Sequence, residues 1–227
     1  MIVLIAGMPR SGSTFSFNVV RDILRVRGTL HQEACEDLVG AIDRAGNARH
    51  VLVKAHSLDQ PSMDLAKAGA FKVVITVRRL EDTIASWLNA FDTLPEQTAT
   101  VILHRWLNMY QELRDRALVI PYEEIDQTPR LAVRRIARGV CAKVGAIELL
   151  RIAHRWEKAR VKRRADRIIR GSGVHDLGWS YYDTETFLHR RHISEHTSRT
   201  ADERAGPERL ARIRAALAEN VAAVGLT

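Results

Sequence analysis

The sequence predicts an α/β fold of three layers, a central parallel sheet flanked by helices, and three observations carry the prediction. Short apolar runs recur at residues 2–6, 51–56, 71–77 and 117–121, and longer segments with apolar residues at helical spacing separate them. The run at 71–77 is almost continuously apolar, as a parallel strand covered on both faces must be. The chain has 227 residues and 46% hydrophobic content, enough for one sizeable core, so a single domain over residues 1–227 is expected.

The first strand ends at Gly7, turns through Pro9 to Gly12, and enters a helix with Phe15, Val19, Ile23 and Val26 on one side. Residues 32–45 read as a polar helix closed by a turn at Gly46-Asn47, and the second strand follows. The third strand gives way at Arg78-Arg79 to a helix with Ile84, Trp87, Leu88 and Phe91 on one side. Pro95 opens a long helix to Arg116, and the fourth strand comes next. Helices are expected over 129–143, 147–170 and 207–224, whereas 171–199 shows no period and reads as a lid or acceptor loop.

The first loop has the Gly7 to Gly12 spacing of a phosphate-binding loop, G-x-x-x-x-G-K-[ST], but Ser13 stands at the lysine position and the charge has moved to Arg10. Backbone N–H groups at a helix N-terminus attract an anion whatever the side chains. The absent lysine is the one that reaches between the β- and γ-phosphates of a triphosphate. A shorter anion, one phosphate with a group attached to it, suits Arg10, Ser13 and Thr14 better. A P-loop type fold with residues 1–125 as its cofactor-binding core is the expectation.

Composition bounds the rest. The opening apolar run is too short to span a membrane and lacks a basic flank, so a cytoplasmic protein is expected. Cys35 and Cys141 have no ligand spacing, and no metal is implied. The net charge of +8 is concentrated between residues 151 and 170, where nine Arg or Lys face only Glu157 and Asp166. Leu149, Ile152, Trp156 and Ala159 form an apolar stripe there, so the segment reads as one amphipathic helix. Its cationic face is either merely solvated or a surface for an acidic glycan or an anionic membrane.

Functional groups in parallel sheets gather at the carboxyl ends of the strands, where this chain carries Arg10, Lys54, His56 and Arg78. These residues resemble the sulfotransferases that use 3′-phosphoadenosine 5′-phosphosulfate (PAPS). Their loop Y-P-K-S-G-T-T-W is similar to residues 8–15, their K-T-H to Lys54-Ala55-His56, their R-x-x-x-D-x-x-x-S to Arg78, Asp82 and Ser86, and their Y-E-D to Tyr122-Glu123-Glu124. All four occur in family order and cover about the first 125 residues. The glycine-rich segment that many members close over the nucleotide is not found; residues 189–194 are the candidate replacement.

The resemblance implies sulfuryl transfer from PAPS to an acceptor hydroxyl, without metal and without nucleic acid as partner. It assigns Arg10, Ser11, Gly12, Ser13, Thr14 and Phe15 to the phosphosulfate loop and Arg78 with Ser86 to the 3′-phosphate. His56 would take the acceptor proton, with Lys54 and Arg10 stabilising the leaving oxygen. Phe15 either stacks on adenine or faces the core. Asp82 fits a helix-dipole role, and Tyr122 and Glu123 fit structural ones. The alternatives are a P-loop nucleotide or small-molecule kinase and a non-catalytic polyanion binder.

Overall fold

The computed structural model describes residues 1–90, 95–171, 173–176, 181–189, 193 and 206–225. Five parallel strands form the sheet: β1 (Ile2–Ile5), β2 (Leu30–Ala34), β3 (His50–Lys54), β4 (Lys72–Val77) and β5 (Leu118–Pro121), in the order β2-β3-β1-β4-β5. β1 is central, with Ile5 level with Lys54 of β3 and Val74 of β4. The segments that follow these three strands therefore emerge side by side on one rim.

The alternation of strand side chains builds the layers. Val3, Ile5, Leu52 and Val74 face a core shared with α1 (Ser13–Arg25), α7 (Pro129–Gly139) and α8 (Ala146–Arg155). Leu4, Val51, Val53 and Ile75 face the opposite core. That side is covered by α4 (Leu80–Ala90), α5 (Glu96–Leu113) and a C-terminal helix at Pro207–Val224, with α2 (Leu38–Arg44) and α3 (Gln60–Lys67) near the β2 edge. The result is the expected three-layer α/β fold. α6 (Tyr122–Gln127) follows β5 directly, and α9 (Lys158–Asp166) follows α8. An antiparallel pair, β6 (Val174–Asp176) and β7 (Tyr181–Asp183), precedes the C-terminal helix, α10.

Three expectations need correction. The segment 32–45 is not one helix: β2 lies alongside β3, and Asp37 then caps α2 by accepting from the Gly40 amide at 2.6 Å. β2 is polar because it is an edge strand, where partial solvation removes the need for apolar residues. The helix predicted over 147–170 breaks at Trp156 and Glu157, so α8 and α9 are separate. Trp156 leaves the helical path to bury its ring, its indole N–H donating to the Asp22 carboxylate at 2.8 Å. Val161 and Ala165, not the exposed Ala159, carry the apolar stripe beyond it.

Phe91 lies outside the described residues, as does most of 190–205, including Arg190, Arg191, His192 and Ser194 of the segment singled out as a lid. No described helix is long and apolar enough to cross a membrane.

Candidate active site

The rim loop after β1 is shaped by residues that leave no alternative backbone. A Cβ on Gly7 would sit 2.3 Å from the Thr76 hydroxyl and 2.4 Å from Ser13 Cβ, so only glycine fits. Gly12 has φ +89° and packs against Ile125 of α6, where an added Cβ would lie 2.8 Å from the isoleucine Cδ1. Arg10 also takes a positive φ of 63°, a strained conformation for a long side chain that recurs at functional loops. Beneath the loop, the Ser11 hydroxyl is within hydrogen-bond reach of Met8 O at 2.6 Å and of the Thr76 hydroxyl at 2.6 Å. The Met8 amide donates to Thr76 O at 2.9 Å, and the Trp106 indole donates to Ala6 O at 3.0 Å. Ser11 thus spends its side chain on the loop's shape.

α1 begins directly from this loop with no side-chain cap and no acid in its first turn, so its N-terminal amides stay available to an anion. Ser13 and Thr14 are buried in that first turn. Phe15 is partly buried against the α1-side core, as one of its two sequence readings expects.

β3 delivers Lys54 and His56 beside the loop. The His56 Nδ1–H donates to Gly7 O at 2.6 Å, which fixes the tautomer and leaves Nε2 as an acceptor. Lys54 Nζ lies 3.3 Å from that Nε2. Burial, and then the Lys54 charge, push the His56 pKa down to about 3, so the ring is neutral at physiological pH. Burial lowers the Lys54 pKa to about 8, and no carboxylate pairs with this ammonium among the described residues.

β4 delivers Arg78, and α4 delivers Ser86. Arg10 Nε donates to the Ser86 hydroxyl at 3.2 Å, and Arg78 Nη1 donates to Arg10 O at 3.3 Å. The Arg78 guanidinium lies 4.1 Å over the Tyr122 ring, and its Nε is buried with no partner. Burial and the adjacent Arg78 charge lower the Arg10 pKa to about 10. Asp82 lies in the first turn of α4, where a carboxylate complements the helix dipole.

The structure therefore brings Arg10, Lys54, His56, Arg78 and Ser86 to one rim, around an uncapped helix N-terminus. Crowded cations and a stranded guanidinium N–H fit an anion carrying more than one charged group. Supporting residues escaped sequence reasoning: Thr76 pins the loop, while Tyr122 and Ile125 of α6 hold Arg78 and Gly12. Thr76 was readable only as a polar residue within an apolar strand. No group of acidic, His or Cys side chains able to hold a metal occurs among the described residues.

No protein-family model matches the chain, and no curated protein matches it in sequence. Solved structures do match its fold. Mouse sulfotransferase SULT7A1 complexed with PAP aligns at a TM-score of 0.66 and 13% identity, over 99% of this chain and 87% of that one. Retinol dehydratase in complex with retinol and PAP aligns at 0.58 and 14% identity, over 97% of this chain and 81% of the other. Its complex with androsterone and PAP aligns at 0.61 and 14%, over 97% and 80%. At these identities the likeness establishes a shared fold.

Proposed function

We propose that the protein is a sulfotransferase that moves a sulfuryl group from PAPS to an acceptor hydroxyl. The observation that carries this reading is His56, held neutral with its tautomer fixed by Gly7 O, one strand away from an anion-seeking loop and in contact with Lys54. Kinase chemistry needs no such histidine, and the loop lacks the lysine that a triphosphate uses. The matched structures, each described as holding PAP, the adenosine 3′,5′-bisphosphate left after transfer, add support.

Bound PAPS would supply an activated sulfuryl group on a 5′-phosphate leaving group. In this chain the α1 N-terminus with Ser13 and Thr14 would hold the 5′-side anion, and Arg78 with Ser86 the 3′-phosphate. Arg10, whose Nε donates to the Ser86 hydroxyl, would lie between the two. His56 Nε2 is the base for the acceptor proton, but Lys54 occupies it here. An anion drawing the ammonium toward the leaving oxygen would free Nε2 and remove the part of its pKa depression that Lys54 causes. Base strength would then rise as the site fills. The acceptor is a hydroxyl compound, and no nucleic acid or metal enters the reading.

Thermal denaturation tests the proposal. At about a hundred times its Kd, a ligand specific for the folded state adds roughly 2.7 kcal/mol to stability. Adenosine 3′,5′-bisphosphate is expected to raise the melting temperature without added metal. A larger rise with ATP and Mg²⁺ would replace the sulfotransferase reading with a kinase.

A further inference from the structure

The basic segment is a shaped surface with a feature that charge alone does not explain. α8, α9 and the turn after them enclose an open groove of about 480 Å³ lined by Arg151, Arg155, Arg160, Arg163, Arg164 and Arg167, with His154. The lysines are neutralised on other flanks, Lys158 on Asp126 at 2.8 Å and Lys162 on Asp166 at 2.9 Å. Of the groove arginines, Arg155 meets Asp22 at 2.9 Å, Arg151 meets Glu148 at 3.4 Å, and Arg164 lies over the Trp156 ring at 4.8 Å. Arg163 and Arg167 have no acid partner among the described residues. Guanidinium forks without acids select phosphate, sulfate or carboxylate groups.

A soluble polyanion needs only that charge. The elements that form the groove, however, also carry large aliphatic side chains in water: Ile147 is 68% exposed and Leu150 43%, both on α8, and Ile169, just beyond α9 in the chain, is 73% exposed. Ile147, Leu150, Arg151 and His154 follow helical spacing, so one face of α8 alternates aliphatic and cationic groups. Val26, 66% exposed at the end of α1, lines a neighbouring cavity together with Arg25, Arg155 and Arg164. Two of the eight large hydrophobics exposed among the described residues, Ile147 and Leu150, thus share the face of α8 that carries Arg151 and His154 of the groove. A helix face that mixes basic and exposed aliphatic residues matches an anionic lipid surface, where guanidiniums meet headgroup phosphates and aliphatic tips enter the acyl boundary.

We propose that the α8–α9 face docks this protein on anionic membranes. The surface is separate from the candidate active site. It is anchored to Asp22 through Arg155 and Trp156, and Asp22 lies nine residues along α1 from Ser13, about 13 Å at helical rise. The docking reading therefore does not rest on sulfuryl transfer, and it leaves the rim of the sheet free while the protein is bound.

Vesicle co-sedimentation of the full chain decides it. Vesicles of phosphatidylcholine alone are compared with vesicles that also contain phosphatidylglycerol, for wild type, Arg163→Ser/Arg167→Ser and Ile147→Ser/Leu150→Ser. A soluble sulfated oligosaccharide is titrated in parallel, and unchanged circular dichroism confirms folding of these surface variants. Wild type is expected to bind only the anionic vesicles, and increasingly weakly as salt rises. The double arginine variant should lose about thirtyfold in partitioning, tenfold or less per residue. The aliphatic variant should lose vesicle binding and keep whatever affinity it has for the oligosaccharide. Oligosaccharide binding without vesicle binding would overturn the proposal in favour of a polyanion site. Vesicle binding untouched by Ile147→Ser/Leu150→Ser would overturn it as well, because charge alone would then suffice.

Discussion

Replacing Lys54 with methionine is expected to stabilise the protein at neutral pH while disabling the site. Lys54 ends a central strand, partly buried, with a histidine nitrogen at 3.3 Å and no carboxylate, and burial lowers its pKa from 10.5 to about 8. Each unit of displacement corresponds to about 1.4 kcal/mol. Charged Lys54 therefore costs the fold about 3 kcal/mol, trimmed by partial exposure to about 1–3 kcal/mol. Methionine fills similar volume without the charge, so Lys54→Met should raise the melting temperature at pH 7 by roughly 2–10 °C for a chain of this size. The pH dependence fixes the cause. Below pH 8 both folded and unfolded chains hold the proton, and wild type bears the full cost. Between pH 8 and 10.5 the unfolded chain binds the proton that the folded one has released, so wild-type stability rises with pH and the variant's advantage shrinks. Urea denaturation of both proteins at pH 7 and pH 10 measures this directly. A variant no more stable than wild type at pH 7, or an advantage that persists unchanged at pH 10, would refute the buried, unpaired ammonium.

Two further outcomes probe the division of labour at the rim. His56→Asn should leave adenosine 3′,5′-bisphosphate affinity nearly unchanged by calorimetry while turnover in a sulfuryl-transfer assay drops about 10²- to 10⁴-fold; wild-type turnover would send the acceptor proton elsewhere. Arg78→Ala and Ser86→Ala should weaken that bisphosphate by roughly 1.5–3 kcal/mol but AMP far less, and equal losses for both nucleotides would mean that these residues hold the 5′-side phosphate.

The four strands that were legible in the sequence are those the fold buries. β1, β3 and β4 are interior, and β5 at the other edge packs Val119 and Ile120 into the two cores, so all four are apolar, whereas β2, partly exposed along its length, is polar enough to read as helix. The break between α8 and α9 was invisible because its cause is tertiary: Trp156 turns toward Asp22, 134 residues away along the chain. The strand-end residues Arg10, Lys54, His56 and Arg78 could be grouped from the sequence because β1, β3 and β4 are parallel neighbours, so the segments that follow them share one rim of the sheet.

What the sequence divided, the structure draws together. Reading motifs one at a time put Arg10 with the leaving group and Arg78 and Ser86 with a second phosphate, as if the subsites were independent. Arg10 Nε donates to the Ser86 hydroxyl and Arg78 Nη1 to the Arg10 backbone carbonyl, so the residues assigned to two phosphates are linked through one hydrogen-bonded chain. The mutual repulsion of the two guanidiniums lowers the Arg10 pKa beyond what burial does alone, and Lys54 depresses His56 in the same way. The rim is thus a cluster of cations, Arg10, Lys54 and Arg78, beside a neutral His56, held together by strands that are stable for other reasons. On the proposed reading, a ligand with anions at both ends would offset both the Arg10–Arg78 repulsion and the Lys54 charge, whereas one with a single phosphate would offset only one. On that reading, selectivity for a doubly charged nucleotide would come from this coupling as much as from any single contact.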